Sequence, residues 1–242
     1  MIKVRGLCKS FGEQDVLKDI GLDVQEGEIV VIVGQSGSSK SVLLQHLIGI
    51  FRPDRGTVEV GGRDITRLAE KDLLAVRRNI GYLFQEGALY DFMTVAENVA
   101  FPLEEHTALS KGDIGAKVAK TLEMVGLEEA AAKYPEELSG GMKKRAALAR
   151  SIVLDSRILL CDEPTSGLDP IMSRDITDLI RDIARKLCCT TVVTSHDIPN
   201  AFRIADRVVL IRDGEVVAQG QPRDLMASRD PFIGEFLSCS SA

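Results

Sequence analysis

The chain has 242 residues, 45% of them hydrophobic, 5% aromatic and 27% charged, and its 30 Lys plus Arg against 36 Asp plus Glu leave a net charge of −6. That balance argues against a dedicated nucleic-acid binder, which usually carries a cationic excess to neutralise phosphates. No apolar run approaches the roughly 18–20 residues of a membrane span, and Met1-Ile2-Lys3-Val4-Arg5 lacks the apolar core of a secretion signal. Five cysteines without a Cys-x-x-Cys pair point to reduced thiols in a cytoplasm, not a disulfide framework.

The segment up to Gln85 is strand-rich. Residues 28–33, Glu-Ile-Val-Val-Ile-Val, form the continuous apolar run of a strand buried on both faces. A glycine-rich turn follows and opens a predicted helix over 41–50. Residues 57–60, bracketed by Asp54-Arg55-Gly56 and Gly61-Gly62, read as a short hairpin strand. Between Thr94 and Leu154 alanine, leucine, glutamate and lysine dominate, predicting helices over 114–125 and 142–154. Apolar runs at 158–161 and 190–194 flank a stretch, 171–187, in which Ile176, Leu179, Ile180 and Ile183 recur at helical spacing. Strand, helix, strand is the rhythm of a parallel sheet. Residues 208–211 and 216–217, joined by Arg212-Asp213-Gly214-Glu215, read as a late hairpin. The basic clusters Arg77-Arg78 and Lys143-Lys144-Arg145 read as solvated helix faces, and Cys188-Cys189 as packing residues at a helix end or strand start.

Three of these strands end in groups with chemistry. After the first come Gly34, Gln35, Ser36, Gly37, Ser38, Ser39, Lys40 and Ser41. A glycine-rich turn at a helix N-terminus offers backbone N–H groups to an anion, a lysine within it reaches β- and γ-phosphates, and a following serine hydroxyl suits Mg²⁺. The spacing fits G-x-x-x-x-G-K-[ST] except that Ser39 occupies the second glycine position. Residues 158–161 end in Asp162-Glu163, and residues 190–195 end in His196. Open α/β sheets bind ligands at the carboxyl ends of their strands. Each feature alone is also what a surface loop, an acidic helix cap or a structural histidine looks like; their convergence is what favours a phosphate site.

The sequence resembles the ATP-binding cassette (ABC) ATPases along essentially its whole length. The most specific element is Leu138-Ser139-Gly140-Gly141-Met142, with methionine where glutamine is commoner. The resemblance implies an α/β fold, a P-loop NTPase with a RecA-like parallel core, an antiparallel β subdomain and an inserted helical subdomain. Core and β subdomain would span 1–85 and 155–242, and the insert 86–154. It implies ATP and Mg²⁺ as ligands. Phe11 would stack on adenine, and Gly34 through Ser41 with Val42 would hold the phosphates. Ser41, Gln85 and Asp162 would serve Mg²⁺. Glu163 would be the catalytic base, with Lys40, Gln85 and His196 completing the catalytic set. Ser139, Gly140, Gly141, Ser166 and Asp169 would meet ATP bound by a second copy, making a homodimer that sandwiches nucleotide.

Within the family, residues 84–107, with Gln-Glu-Gly-Ala-Leu-Tyr and Phe-Pro-Leu-Glu-Glu-His-Thr, resemble the ATPase subunit of Mla/Mce-type phospholipid transport systems. That likeness implies an integral membrane permease as partner, lipid cargo handled by other subunits, and a peripheral location on the cytoplasmic face of an inner membrane. An importer of polar solutes such as amino acids is the alternative. A third reading, a nucleotide-binding scaffold with weakened turnover, rests on Ser39. At a positive φ a serine costs about 1–2 kcal/mol, which expressed as binding is roughly tenfold or somewhat more.

Overall fold

The structure, a computed structural model, describes residues 1–34, 39–228, 230, 233 and 234. In chain order these form β1 (Ile2–Phe11), β2 (Gln14–Val24), β3 (Ile29–Val33), α1 (Lys40–Leu47), β4 (Arg55–Val60), β5 (Arg63–Asp64), α2 (Glu70–Arg77), β6 (Ile80–Leu83), α3 (Val95–His106), α4 (Lys111–Val125), α5 (Gly140–Ile152), β7 (Ile158–Asp162), α6 (Pro170–Lys186), β8 (Thr190–Ser195), α7 (Ile198–Ile204), β9 (Arg207–Arg212), β10 (Glu215–Gly220) and α8 (Pro222–Met226). They fall into two compact units, one of Met1–Arg77 with Thr190–Ala242 and one of Arg78–Cys189.

The first unit holds an antiparallel sheet in the order β2-β1-β4-β5 and a second set of strands built around β3. Every residue of β3 and of β8 is buried, as expected of strands covered on both faces. They pair in parallel with Val33 opposite Ser195, and β9 lies parallel on the other side of β3. β9 then turns back into β10 through Asp213 and Gly214, at φ 50° and 83°. Two consecutive positive φ values are what a tight two-residue hairpin turn requires.

The second unit contains the parallel pair β6–β7, with Leu83 opposite Cys161. Helices α3, α4 and α5 pack on one another, and α5 packs on β6 and α6. In α6, Ile176, Ile180 and Ile183 are buried, so the spacing of 3.6 residues per turn puts one apolar stripe inward.

Two sequence expectations are corrected. Helix α1 stops at Leu47 instead of reaching residue 50, because Gly49 takes φ 67° and donates to His46 O at 3.1 Å while Ile50 donates to Gln45 O at 2.9 Å. This paired bonding around a left-handed glycine is a standard helix stop. The basic clusters are also not simply solvated. Arg77 donates from Nε to Ile48 O (2.8 Å) and from Nη2 to Gly49 O (3.2 Å), and Arg145 Nη1 donates to Val125 O at 3.1 Å. Both arginines serve carbonyls at the C-terminal ends of helices, which have no intrahelical donor. Lys144 is buried.

His46 in α1 is 1% exposed, with Nδ1 2.8 Å from Val42 O and its ring beside Phe51. Burial lowers its pKa below the ordinary 6.5, outweighing the help of the Val42 carbonyl and of Asp54. The unfolded chain therefore binds a proton at His46 that the folded chain refuses, and stability falls as pH drops below about 6.5 toward the folded-state value. Replacing His46 by Gln is expected to flatten the thermal midpoint between pH 7.5 and 5.5 relative to wild type. In the second unit, a Cβ built on Gly81 would lie 2.2 Å from Ser151 O. Gly81→Ala is expected to cost about 1–3 kcal/mol, read as a lowered denaturation midpoint.

Candidate functional site

In the first unit, register delivers the groups. Because Val33 opposes Ser195, the next residues, Gly34 and His196, leave β3 and β8 side by side. Gly34 is buried and His196 exposed. Lys40, 3% exposed, donates from Nζ to Gly34 O at 2.9 Å, so the lysine folds back over the start of its own loop. Ser41 and Val42 follow in the first turn of α1, both half-buried. Gln35, Ser36, Gly37 and Ser38 lie outside the described residues.

Ser39 takes φ −62° and ψ 12°. This is right-handed helical backbone, open to any L-residue, so the strain expected of a serine at positive φ does not arise. Phe11 ends β1 with its ring 5.1 Å from Phe51, edge-on, and Lys9 Nζ 5.4 Å from its centroid. It is 42% exposed, leaving ring surface for a flat ligand.

In the second unit, the pairing of Leu83 with Cys161 brings Phe84-Gln85 and Asp162-Glu163 off β6 and β7 at one level. Asp162 and Glu163 are 6% and 8% exposed. Tyr82 Oη donates to Asp162 Oδ2 at 3.4 Å, and burial first, then the Asp162 charge, push the Tyr82 hydroxyl far above its ordinary pKa, so it remains a donor. Glu163 sits at φ 44°, a left-handed conformation that costs a non-glycine residue about 1–3 kcal/mol and clusters at functional sites. A turn closes behind it, with Ser166 N donating to Glu163 O at 3.1 Å. Gln85 Nε2 donates to Ser166 Oγ at 3.2 Å. Gln85, Glu163 and Ser166 are thus one connected cluster.

Ser139 caps α5, accepting from Met142 N at 3.3 Å. Gly140 and Gly141 open the helix, and a Cβ on Gly141 would fall 2.0 Å from Met172 Cε, so glycine there admits the start of α6. Asp169 caps α6 through two bonds of 3.0 Å from Ile171 N and Met172 N. The two helix N-termini consequently adjoin, with Leu168 Cδ2 3.3 Å from where a Gly140 Cβ would be.

Sequence reasoning missed the residues that hold these loops. Lys144 Nζ donates to Gln85 O. Arg150 forks onto Gly87 O (2.8 Å) and Ala88 O (2.7 Å), where both residues have positive φ. Asn98, fully buried, accepts from Tyr90 N at 2.8 Å and donates toward the carbonyls of Tyr90, Met93 and Thr94 at 3.0–3.1 Å. Above it Tyr90 packs on Phe92 and Phe101 at 5.7 and 5.1 Å, with Phe92 76% exposed. The one available signal is an asparagine among the apolar residues Val95, Val99 and Leu103, a residue that must satisfy its amide when buried.

Residues 17–166 match the family described as ABC transporter. Over 237 residues, 98% of this chain, the sequence is 41% identical to the probable ribonucleotide transport ATP-binding protein mkl of Mycobacterium leprae and covers 68% of it. Over 241 residues it is also 41% identical to the intermembrane phospholipid transport system ATP-binding protein MlaF of Haemophilus influenzae, covering 91% of that protein. A solved ATP-binding cassette, dimeric and in a post-hydrolysis state with ADP and Pi, shares the fold with a TM-score of 0.84 at 33% identity, over 92% of this chain and 99% of that one.

Asn98→Ala removes the buried amide that ties down residues 90–94. We expect a loss of about 1–3 kcal/mol, and faster amide hydrogen exchange at Tyr90, whose N–H loses its acceptor.

Proposed function

This chain belongs to the ABC transporter family as an ATP-binding, ATP-hydrolysing cassette, and on that premise we propose that it powers phospholipid transport as the ATPase subunit of a membrane transporter. The observation that carries the cargo is the 41% identity along the whole chain to the phospholipid transport protein of Haemophilus influenzae. The equal identity to the probable ribonucleotide transport protein supports a second reading, a transporter of polar solutes. Residues 84–107 favour the first, through their likeness to Mla/Mce-type ATPase subunits. The exposed aromatic group around Tyr90 and Phe92 is the surface on which a membrane permease docks. No helix among the described residues is long and apolar enough to cross a membrane. The family likeness supports a place on the cytoplasmic face of an inner membrane, held there by that permease.

The roles follow the family pattern residue by residue, on the α/β core (1–85 and 155–242) and the helical insert (86–154). Phe11 stacks on adenine. Gly34, Gln35, Ser36, Gly37, Ser38, Ser39, Lys40, Ser41 and Val42 hold the phosphates. Glu163 orients a water for in-line attack on the γ-phosphate and takes its proton as the bond to ADP breaks. Lys40 and His196 stabilise the charge that develops on the transferred group. By the family pattern Ser41, Asp162 and Gln85 would hold Mg²⁺, each through a side-chain oxygen of the type hard divalent cations take. The ion would supply positive charge to offset that of the β- and γ-phosphates. Ser139, Gly140, Gly141, Ser166 and Asp169 meet the nucleotide held by a second copy, so ATP closes a homodimer and loss of the γ-phosphate opens it.

The backbone of Ser39, at φ −62° and ψ 12°, removes the strain argument for the scaffold reading and leaves only the closer approach to phosphate that a glycine allows. Glu163→Gln is expected to retain ATP binding while steady-state phosphate release falls by a factor of about 100 or more; near-normal turnover would remove Glu163 from the base role. For the cargo, the chain assembled with its permease in phospholipid bilayers should show ATP-dependent movement of labelled phospholipid. ATP-dependent uptake of ribonucleotide without lipid movement would favour the second reading.

A further inference from the structure

The chain that leaves the C-terminal end of α1 returns to the exposed aromatic at the end of β1. Gly49 closes the helix at φ 67°, and two residues later the ring of Phe51 lies 5.1 Å from that of Phe11, the planes 70° apart. Edge-to-face contact of this kind is a preferred arrangement of aromatic rings. The segment that carries Phe51 is tied down on both sides. Before it, Arg77 donates to the carbonyls of Ile48 and Gly49 at 2.8 and 3.2 Å. After it, Asp54 N donates to Cys8 O at 2.9 Å, and the Asp54 carboxylate accepts from Ser10 N at 2.7 Å and Lys9 Nζ at 2.8 Å. The buried His46 ring packs 5.9 Å from Phe51 and is itself bonded to Val42 O at 2.8 Å. Lys9, anchored by Asp54, sets its ammonium 5.4 Å from the Phe11 centroid, within cation–π range. Phe11 is thus held by two fixed neighbours while 42% of it stays exposed.

We propose that Phe51 is a positioning residue for nucleotide binding: packed against Phe11, it fixes the orientation of the ring on which the base stacks. This rests on the reading of Phe11 given above and adds a residue that acts only through it. An aromatic side chain at an exposed strand end has rotamer freedom, and ordering it when a ligand arrives lowers affinity. Phe51 removes that freedom beforehand. The energy of one edge-to-face aromatic pair corresponds to about threefold to tenfold in affinity.

The test is a double-mutant cycle on the full chain, with Phe51→Leu, Phe11→Ala and the two combined, read by calorimetric titration with ATP. Phe51→Met serves beside Phe51→Leu, because both keep apolar bulk against His46 and preserve the fold. The proposal expects each Phe51 variant to bind ATP about threefold to tenfold more weakly than wild type. In the Phe11→Ala background, Phe51→Leu should bring no further loss. Steady-state hydrolysis by the Phe51 variants should show KM raised by the same factor and kcat within about twofold of wild type. Wild-type ATP affinity in both Phe51 variants, with Phe11→Ala weakened, would overturn the proposal and leave the stacking role of Phe11 intact. An equal loss from Phe51→Leu with and without Phe11 would also overturn it, since the residue would then act by another route. So would a fall in kcat at unchanged KM, which would place the disturbance at the phosphate end of α1. Wild-type affinity in Phe11→Ala would overturn the stacking reading itself, and the proposal with it.

Discussion

Val33 opposite Ser195 and Leu83 opposite Cys161 mean that the two strands of each parallel pair end within a residue of one another, so that the segments after them start side by side. The strands β3, β7 and β8 are buried along their whole length, so a shift of register would strand apolar groups or bury polar ones, and the pairing is strongly specified. Everything chemical follows from that constraint. Gly34 and His196 emerge together in one unit, and Gln85 and Glu163 in the other, because the strands beneath them cannot slide. The loops need only carry each side chain a residue or two beyond a fixed point.

Those loops are not left to their own propensities. Glu163, Gly87 and Ala88 all hold positive φ, which for the two non-glycine residues is unfavourable. Each conformation persists because neighbours occupy its polar groups. Ser166 N bonds the Glu163 carbonyl, Arg150 takes the Gly87 and Ala88 carbonyls, and Lys144 takes that of Gln85. Lys144 and Arg150 project from α5, the helix that Ser139 caps. The helix N-terminus assigned to a second copy's nucleotide and the loop assigned to Mg²⁺ and the permease are therefore braced by the same rigid element.

Much of this was readable beforehand, for identifiable reasons. The runs at 28–33, 158–161 and 190–194 were legible because strands buried on both faces carry an uninterrupted apolar signal. α6 was legible because Ile176, Ile180 and Ile183 mark one stripe. The phosphate loop, Asp162-Glu163 and His196 are legible from pattern and spacing, whereas Phe11, Gln85, Ser139, Gly140, Gly141, Ser166 and Asp169 are named only by the resemblance to the ABC ATPases. Residues whose task is set by distant backbone were not legible. Nothing local tells Arg145 that the last carbonyl of α4 will lie within reach, or tells Lys144 that it will be buried against Gln85. Arg77 and Arg145 looked like surface charge for the same reason. The helix after the phosphate loop stops at Leu47, three residues short of its predicted end, because Gly49 at φ 67° closes it. Ser39 shows the converse error: a glycine pattern suggested a positive φ that the backbone does not adopt.

The central claim is that this chain is a working ATPase whose active form is a nucleotide-bridged dimer. The most direct measurement is the initial rate of phosphate release from MgATP by the purified full chain, followed as a function of chain concentration. The account predicts release that requires Mg²⁺, saturates with ATP, and rises per chain as concentration favours pairing. A chain that binds ATP yet releases no phosphate above background at any concentration would contradict it.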